Sequence, residues 1–574
     1  MQRHTRRHST LSTRGVSAAL RQLASIRRRY GGDFAREKLA LLRALAGVKR
    51  LAPGAVPRLH EHLLYLRAFP DNAEVLGEVT AQLGSFARRV RALPAADRRR
   101  LEDTALVGTT SRHSFDAPII DWLVRRYPGH VDVDWPSVDS DAGIESLLRL
   151  TVLRAEEDGF DSGLGARAWL RRARGVTRHN DLEWLLAQVA GIAEARKLWP
   201  ALWDRAALPV AWRLAAPHGA ATHEALPVEQ PAYRRGMRRA PARPRQWIAR
   251  RLDGVRRLDR SAARRVIDLA RAALTARCRE VYALTHANAD EVYWADLGEG
   301  TAIAVVGVTP GMRLTLEANY GFLLLANGVP IGYGGVTALF RQANTGINVF
   351  DAYRGSEAAA IWVQALRAFH TLFGVDRFLV NPYQFGAGNS EALASGAFWF
   401  YYQLGFRPTQ RATRALAARE HRIRASRPGH RTPTATLRRL ADCDMELLLP
   451  GASARDGFRE EWLATLGIEV TKRLAGSRGR DRGERTVLAE LCRELRWNAP
   501  AAWSRTARVG LLNLGPLLAV LPGLSRWNRR DLRRLAALVR AKGSVCEAKF
   551  VHLARALPRL FAAFARVATA RRAP

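Results

Sequence analysis

Lysine is nearly missing. Only Lys38, Lys49, Lys197, Lys472, Lys542 and Lys549 occur in 574 residues, although the formal net charge is +38. Arginine therefore carries the charge, a skew that GC-rich coding produces and that gives the chain a bacterial look. Cysteine is scarce as well. Cys278, Cys443, Cys492 and Cys546 stand far apart, with no CxxC pair and no metal-ligand spacing, which argues against a disulfide framework or a zinc site and fits a reducing, cytoplasmic compartment. No apolar run reaches the ~20 residues of a spanning helix. The longest, Val509 to Leu524, has 16 residues with Pro516 and Pro522 inside it, and reads as a buried, kinked helix. Walker loops, HExxH and GxSxG elbows are lacking. His60 and His62 stand at i,i+2, on different sides of a helix, so they are no metal pair. The acidic stretch Asp132 to Gly143 lacks EF-hand spacing and reads as a turn with helix caps. The N-terminal stretch to Leu23 has positive charge, and Arg, Ser and Thr content weakly like a transit peptide, but no apolar signal core; it reads as a frayed basic arm.

What is present divides the chain. Its length calls for two to four domains. From residue 16 to about 205, apolar residues recur at three- and four-residue steps, the pattern of a helical bundle or solenoid, with Asn72 and Asp141 as caps. Pro227 to Arg245, rich in Pro and Arg, interrupts that pattern and reads as a linker. Beyond Val292 come short apolar segments bounded by turn residues, including TAIAVVGV, GFLLLANGVPIGYGGVTALF, TGINVF and RFLVNPY, which predict strands. Asn327-Gly328 between two of them predicts a type I′ hairpin, because that turn needs positive φ at both central positions. A helix follows with Trp362, Leu366, Phe369 and Phe373 on one face and Gly374 at its stop. Strand, helix, strand implies a parallel pair with a right-handed crossover. From Pro408 the helical pattern returns.

Charge follows the same division. Between Thr315 and Pro408 five arginines balance five acids; from Thr409 onward 34 Lys plus Arg face 14 Asp plus Glu, a net of +20, which leaves +18 for residues 1 to 314. The expected organisation is multidomain α and α/β: a helical N-terminal region (1–226), a basic linker (227–245), a central mixed-sheet α/β domain (246–410) and a basic helical C-terminal region (411–574).

Near the end of the central region, SGAFWFYYQLGFRP (Ser395 to Pro408) sets five aromatic residues in a row. A helix cannot bury five consecutive positions on one stripe, so either both faces are covered or one lines a cavity. Hairpin, strand ending at Phe350, turn DAYRGSEAA, helix, strand, and a helix ending YYQLGF together resemble the acyl-CoA-dependent N-acyltransferases of the GNAT superfamily, over roughly residues 290 to 410. The resemblance implies an acyl-CoA co-substrate, acetyl-CoA in the simplest case, an amine acceptor and no metal. In that family the turn after the strand carries Gln/Arg-x-x-Gly-x-Gly/Ala, whose backbone N–H groups hold the CoA pyrophosphate at a helix N-terminus. Arg354, Gly355 and Ala359 match it, with Ser356 and Ala358 in the same turn, and a backbone N–H of Val349 or Phe350 is expected to polarise the thioester carbonyl.

Tyr401, four residues before Gly405, holds the spacing of the family's general acid, which protonates the leaving thiolate. Phe398, Trp399, Phe400 and Tyr402 read as sheet-packing and pocket-wall residues. Two positions depart from the pattern. Glu357 replaces the central glycine of the loop, either as a helix-start acid favouring the dipole, as part of an altered phosphate loop, or as a catalytic acid. Asn389 precedes Tyr401 by twelve positions instead of about two turns, so a CoA-binding role does not transfer to it; Ser395 then caps a shorter helix and NSEALAS becomes an insertion. Glu391 in that insertion is a candidate general base or a solvated first-turn carboxylate. Two readings compete with an acyltransferase: a non-catalytic scaffold of the same fold, favoured by Glu357, and a nucleic-acid-binding protein using the basic flanks.

Overall fold

The computed structural model describes residues 12–215, 219–355, 357–453, 457–475 and 480–569. Ser356 and the first eleven residues of the basic arm lie outside them. The rest of that arm is a helix, Thr13–Ile26, whose Gly15 N–H donates to the capping Ser12 hydroxyl. It packs with Phe34–Ala46, Ala55–Ala68 and Ala73–Gly84, burying Leu20, Leu23, Leu42, Leu59 and Leu63. Asn72 caps as expected, accepting from Val75 N–H at 2.9 Å; Asp141 occupies an N-cap without accepting a cap bond.

The all-helical reading of this region needs correction. Strands β1 (Thr110–His113), β2 (Val131–Val133) and β3 (Val210–Arg213) form an antiparallel sheet with β3 in the middle. Each is three or four residues long, too short to display an alternating pattern.

The large sheet holds ten strands. They are β4 (Arg256–Arg257), β5 (Ala287–Gly298), β6 (Thr301–Val308), β7 (Ala318–Ala326), β8 (Val329–Leu339), β9 (Gln342–Thr345), β10 (Asn348–Val349), β11 (Arg377–Val380), β12 (Arg407–Pro408) and β13 (Met445–Leu448). Their order is β12-β13-β11-β9-β8-β7-β6-β5-β4, with β10 also on β8. Only β9 and β11 pair parallel, joined by the predicted helix, Ala358–Phe373, which Gly374 ends at φ +68°. The hairpin is as expected: Asn327 and Gly328 take φ 45° and 75°. Mixed α/β architecture with helical regions is thus the observed class.

Strand alternation explains how the sheet is covered on both faces. Along β7, Tyr320 and Phe322 stack on Phe373, Trp362 and Phe369 of the crossover helix. Gly321 between them faces the other side, where a Cβ would run into Leu284. Every residue of β6 is buried, the mark of a strand covered twice.

Two expected boundaries fall differently. β13 comes from beyond residue 410 and inserts between β11 and β12, so the sheet is completed by what reads as the C-terminal region. The Pro- and Arg-rich stretch is a pinned strap. Arg234 N–H donates to Pro70 O, Ala232 N–H to Asn327 Oδ1, and the Arg238 guanidinium to the Leu297 and Gly298 carbonyls. Long arginine side chains reach backbone acceptors at the sheet's end, which composition alone does not reveal.

The C-terminal helices are locked to the sheet by charge buried to zero exposure. Arg313 meets Glu291 at 3.2 Å and Glu547 at 3.6 Å, Lys542 meets Glu547 at 2.5 Å, and Tyr320 O–H donates to Glu291 at 2.8 Å. Burial pushes the Glu291 carboxyl up to about 7, with Arg313 and Tyr320 pulling the other way. A carboxyl raised in the native state contributes full stability below its unfolded value of 4.5 and loses it as pH rises to about 7. The melting temperature of the wild type, relative to that of Glu291→Gln, is expected to fall across that window and stay level above it.

Among the described residues no helix is long and apolar enough to cross a membrane. The apolar run begins in the helix Arg505–Ala519, which contains Pro516 and buries Leu511, Leu514 and Leu518, and ends beyond it, with Pro522 outside the helix. All four cysteines are free.

Candidate active site

The parallel pair is where the sheet opens. β9 and β11 run in register from Gln342–Arg377 to Asn344–Leu379 and then part. Pairing with β8 also lapses at Gly346 and Ile347 without a change of register; at Gly334, opposite, a Cβ would collide with the Gly346 carbonyl. Phe350 N–H donates to Ile331 O at 3.1 Å. Because donors alternate along a strand, the Ile347 and Val349 amides point to the other side, into the gap that β11 leaves. Of the two amides expected as the polarising donor, Phe350 N–H is spent on Ile331 and Val349 N–H faces the gap.

Tyr401 fills that gap. It belongs to the helix Ala397–Gln403 and is 2 % exposed. Burial pushes its phenol well above the ordinary tyrosine value, and the Ile347 backbone amide beside it pulls the other way. The phenol is consequently a neutral proton carrier at pH 7. Four of the five aromatics are buried, Phe398, Trp399, Tyr401 and Tyr402, and Phe400 lines the cavity with Trp399 and Tyr401. Both alternatives for the aromatic run apply at once: two covered faces and a cavity wall. Trp399 N–H donates to Thr432 at 3.0 Å.

A cleft of about 1840 Å³ opens here between the central sheet and the N-terminal helices. Its walls include Glu61 and Leu64 of the helix Ala55–Ala68, the segment Arg277 to Val281, the β10 end with Asp351, Arg354 and Gly355, and the loop Gly429 to Thr434. Five arginines and five acids line it, Arg277, Arg279, Arg354, Arg424 and Arg431 against Glu61, Asp103, Glu280, Asp351 and Glu391. The cleft is thus charge-balanced in a strongly basic chain.

The loop before the crossover helix turns at Gly355, φ +70°, a conformation that costs other residues about 1–2 kcal/mol. Gly355 and Ala358 line the cleft; Ala359 packs on the core instead. Arg354 is held by Asp351 at 2.8 Å and by Glu391. Glu391, expected as a free general base or a solvated acid, is a half-exposed ion-pair partner of the loop arginine. Asn389 accepts from Ala392 N–H and caps the helix Ser390–Ser395, so Ser395 ends a helix instead of starting one; Gly396, φ +67°, separates it from the aromatic helix.

Glu357 faces away from the cleft. Its carboxylate accepts from Arg238 N–H at 2.9 Å and pairs with Arg234 at 3.0 Å, both of the strap, with Arg234 and Glu357 side chains 1 % exposed. Burial raises its carboxyl, and the Arg238 amide and Arg234 oppose the shift. The acid that replaces a glycine in the loop is a fastener for the strap. A catalytic role and a repulsion against phosphates are both corrected by this geometry.

Two residues escaped the sequence reading. Arg28, from the N-terminal helical region, donates to the Arg354 carbonyl and lies so close to Gly355 that a Cβ there would approach it to 2.7 Å; nothing in sequence links positions so distant. Glu280 lines the cleft with its carboxyl raised to about 7 by burial and by Asp116, the Asp116 amide opposing. It sits in no motif. His60 and His62 diverge as expected, toward Thr222 and Arg27, both pushed down by burial, to about 3 and about 4. No group of metal-ligating side chains occurs among the described residues. No family model, no curated protein and no solved structure matches this chain.

Proposed function

We propose that the protein is a GNAT-like acyltransferase that moves an acyl group from acyl-CoA to an amine. The observation that carries the reading is Tyr401, a buried phenol beside the Ile347 amide in the gap between two parting parallel strands, in one cleft with the glycine turn at Gly355. In the reaction the amine nitrogen forms a C–N bond at the thioester carbon while the C–S bond breaks. The Tyr401 proton passes to the thiolate sulfur, and the surplus proton on nitrogen restores the phenol. The Val349 amide donates to the carbonyl oxygen as its charge grows. Gly355, Ala358 and Arg354 hold the pyrophosphate at the helix N-terminus, with Arg28 above them. Four free thiols suit a cytoplasmic setting.

The test is calorimetry with acetyl-CoA. The wild type is expected to bind, and Gly355→Asp to bind roughly tenfold or more weakly, since it adds charge and a side chain at positive φ. No binding to the wild type at millimolar acetyl-CoA would sink the reading in favour of a non-catalytic scaffold of the same fold.

A further inference from the structure

The cleft has charges that acyl-CoA binding does not use. Arg277 is fixed from below: its Nη1 donates to the fully buried Glu224 at 3.1 Å and to the Ala273 carbonyl at 2.6 Å, and its guanidinium lies 4.1 Å over the Phe350 ring. No hydrogen bond engages its Nη2 among the described residues, and the residue lines the cleft. Arg279, two positions on, is exposed to the same cleft, and its guanidinium has no hydrogen bond or ion pair among the described residues. Nearby Asp103 is occupied by Arg112 N–H, at 2.6 Å. Both arginines line the cleft with Tyr333, and both oppose the upward push of burial on its phenol. Of the remaining cleft arginines, Arg354 pairs with two acids beside the pyrophosphate turn, Arg424 lies over Trp399 at 4.7 Å, and Arg431 is on the separate loop Gly429 to Thr434.

We propose that Arg277 and Arg279 form an anion subsite for the acyl acceptor, so that the acceptor is an amine that also carries a carboxylate or a phosphate. This rests on the acyltransferase reading for the word acceptor, though not for the anion site. A pre-oriented guanidinium beside an unpaired one suits a planar or tetrahedral oxyanion. Register sets the reach. Tyr333 pairs with Asn348, and Phe350 beneath Arg277 is three residues from Ile347, about 10 Å of strand. An acceptor bound at both ends therefore spans about that distance from anion to amine, the length of an extended peptide of about three residues. A bare alkylamine does not meet this demand.

The full-length protein is heated with N-acetylglycine or O-phosphoethanolamine, and with counterparts that lack the anion, N-acetylglycinamide and ethanolamine. At least one anionic compound is expected to raise the melting temperature while neither counterpart does; which one does separates carboxylate from phosphate recognition. Arg279→Gln, an exposed change that leaves the Glu224 pair intact, is expected to weaken the apparent affinity roughly tenfold or more. Absence of any anion effect in the wild type overturns the proposal, as does an equal effect in Arg279→Gln. Acetyl-CoA calorimetry is read separately. Anion binding without acetyl-CoA binding leaves the anion site standing and sinks the acyltransferase reading; the reverse pattern does the opposite.

Discussion

Tyr401→Phe is expected to lower turnover by ~10²–10⁴-fold while the melting temperature moves by only a few degrees. The substitution keeps the ring among Phe385, Phe400 and Phe406 and removes only the proton donor, whose contribution as a general acid is of that size. One structural cost remains, since the Ile347 amide loses the phenol oxygen beside it; a buried donor left unsatisfied costs about 1–3 kcal/mol. Trp399→Ala separates catalysis from packing within the same helix. Trp399 is 5 % exposed and bonded to Thr432, and truncating such a side chain costs about 3–5 kcal/mol, so folding suffers whatever the chemistry. Turnover is measured as thiol release from acetyl-CoA, stability by thermal unfolding. Equal loss of stability in the two variants, with no selective loss of turnover in Tyr401→Phe, would make Tyr401 a core residue.

Arg313→Met is expected to destabilise the protein by about 3–5 kcal/mol, the size of effect seen when one partner of a buried ion pair is removed. The reason lies in what the side chain leaves behind. Glu291 and Glu547, both buried to zero exposure, would keep Lys542 as their one cation in the cluster, and the Lys542 and Ser544 carbonyls would lose the Arg313 donor while Val545 keeps Asn288. These bonds join the connection after β6 to the segment before Ala548–Arg555, so loosening is expected first in the C-terminal helices. Hydrogen exchange reads this directly: faster exchange across 529–569, with the helices of 13–84 unchanged, is the expected pattern. A change below 1 kcal/mol would show that the cluster is neutral to stability.

The aromatic run illustrates how far local sequence reaches. Five consecutive aromatics cannot share one helical stripe, and that constraint alone required a helix covered on two faces or open to a cavity. The hairpin at Asn327-Gly328, the stop at Gly374 and the central strands were likewise legible, because each depends on φ preferences or on apolar spacing within a few residues. The small sheet, β4 and β13 were not. They are two to four residues long, and their strand state comes from partners supplied elsewhere in the chain.

Site chemistry divides the same way. The positions of Tyr401 and the Gly355 turn follow from spacing, so the sequence could nominate them. Whether Glu357 faced phosphate or a protein cation depended on where the strap ran, and Arg234 lies more than a hundred residues away in sequence. Whether Glu391 was free depended on Arg354, and the amide available to a ligand depended on β9 and β11 parting after Asn344. Sequence by itself determined which groups exist and which local conformations they favour, since those are properties of neighbouring residues. Tertiary structure alone decided which charge each group meets, because burial and Coulomb interactions act through a few ångströms of space whatever the separation along the chain.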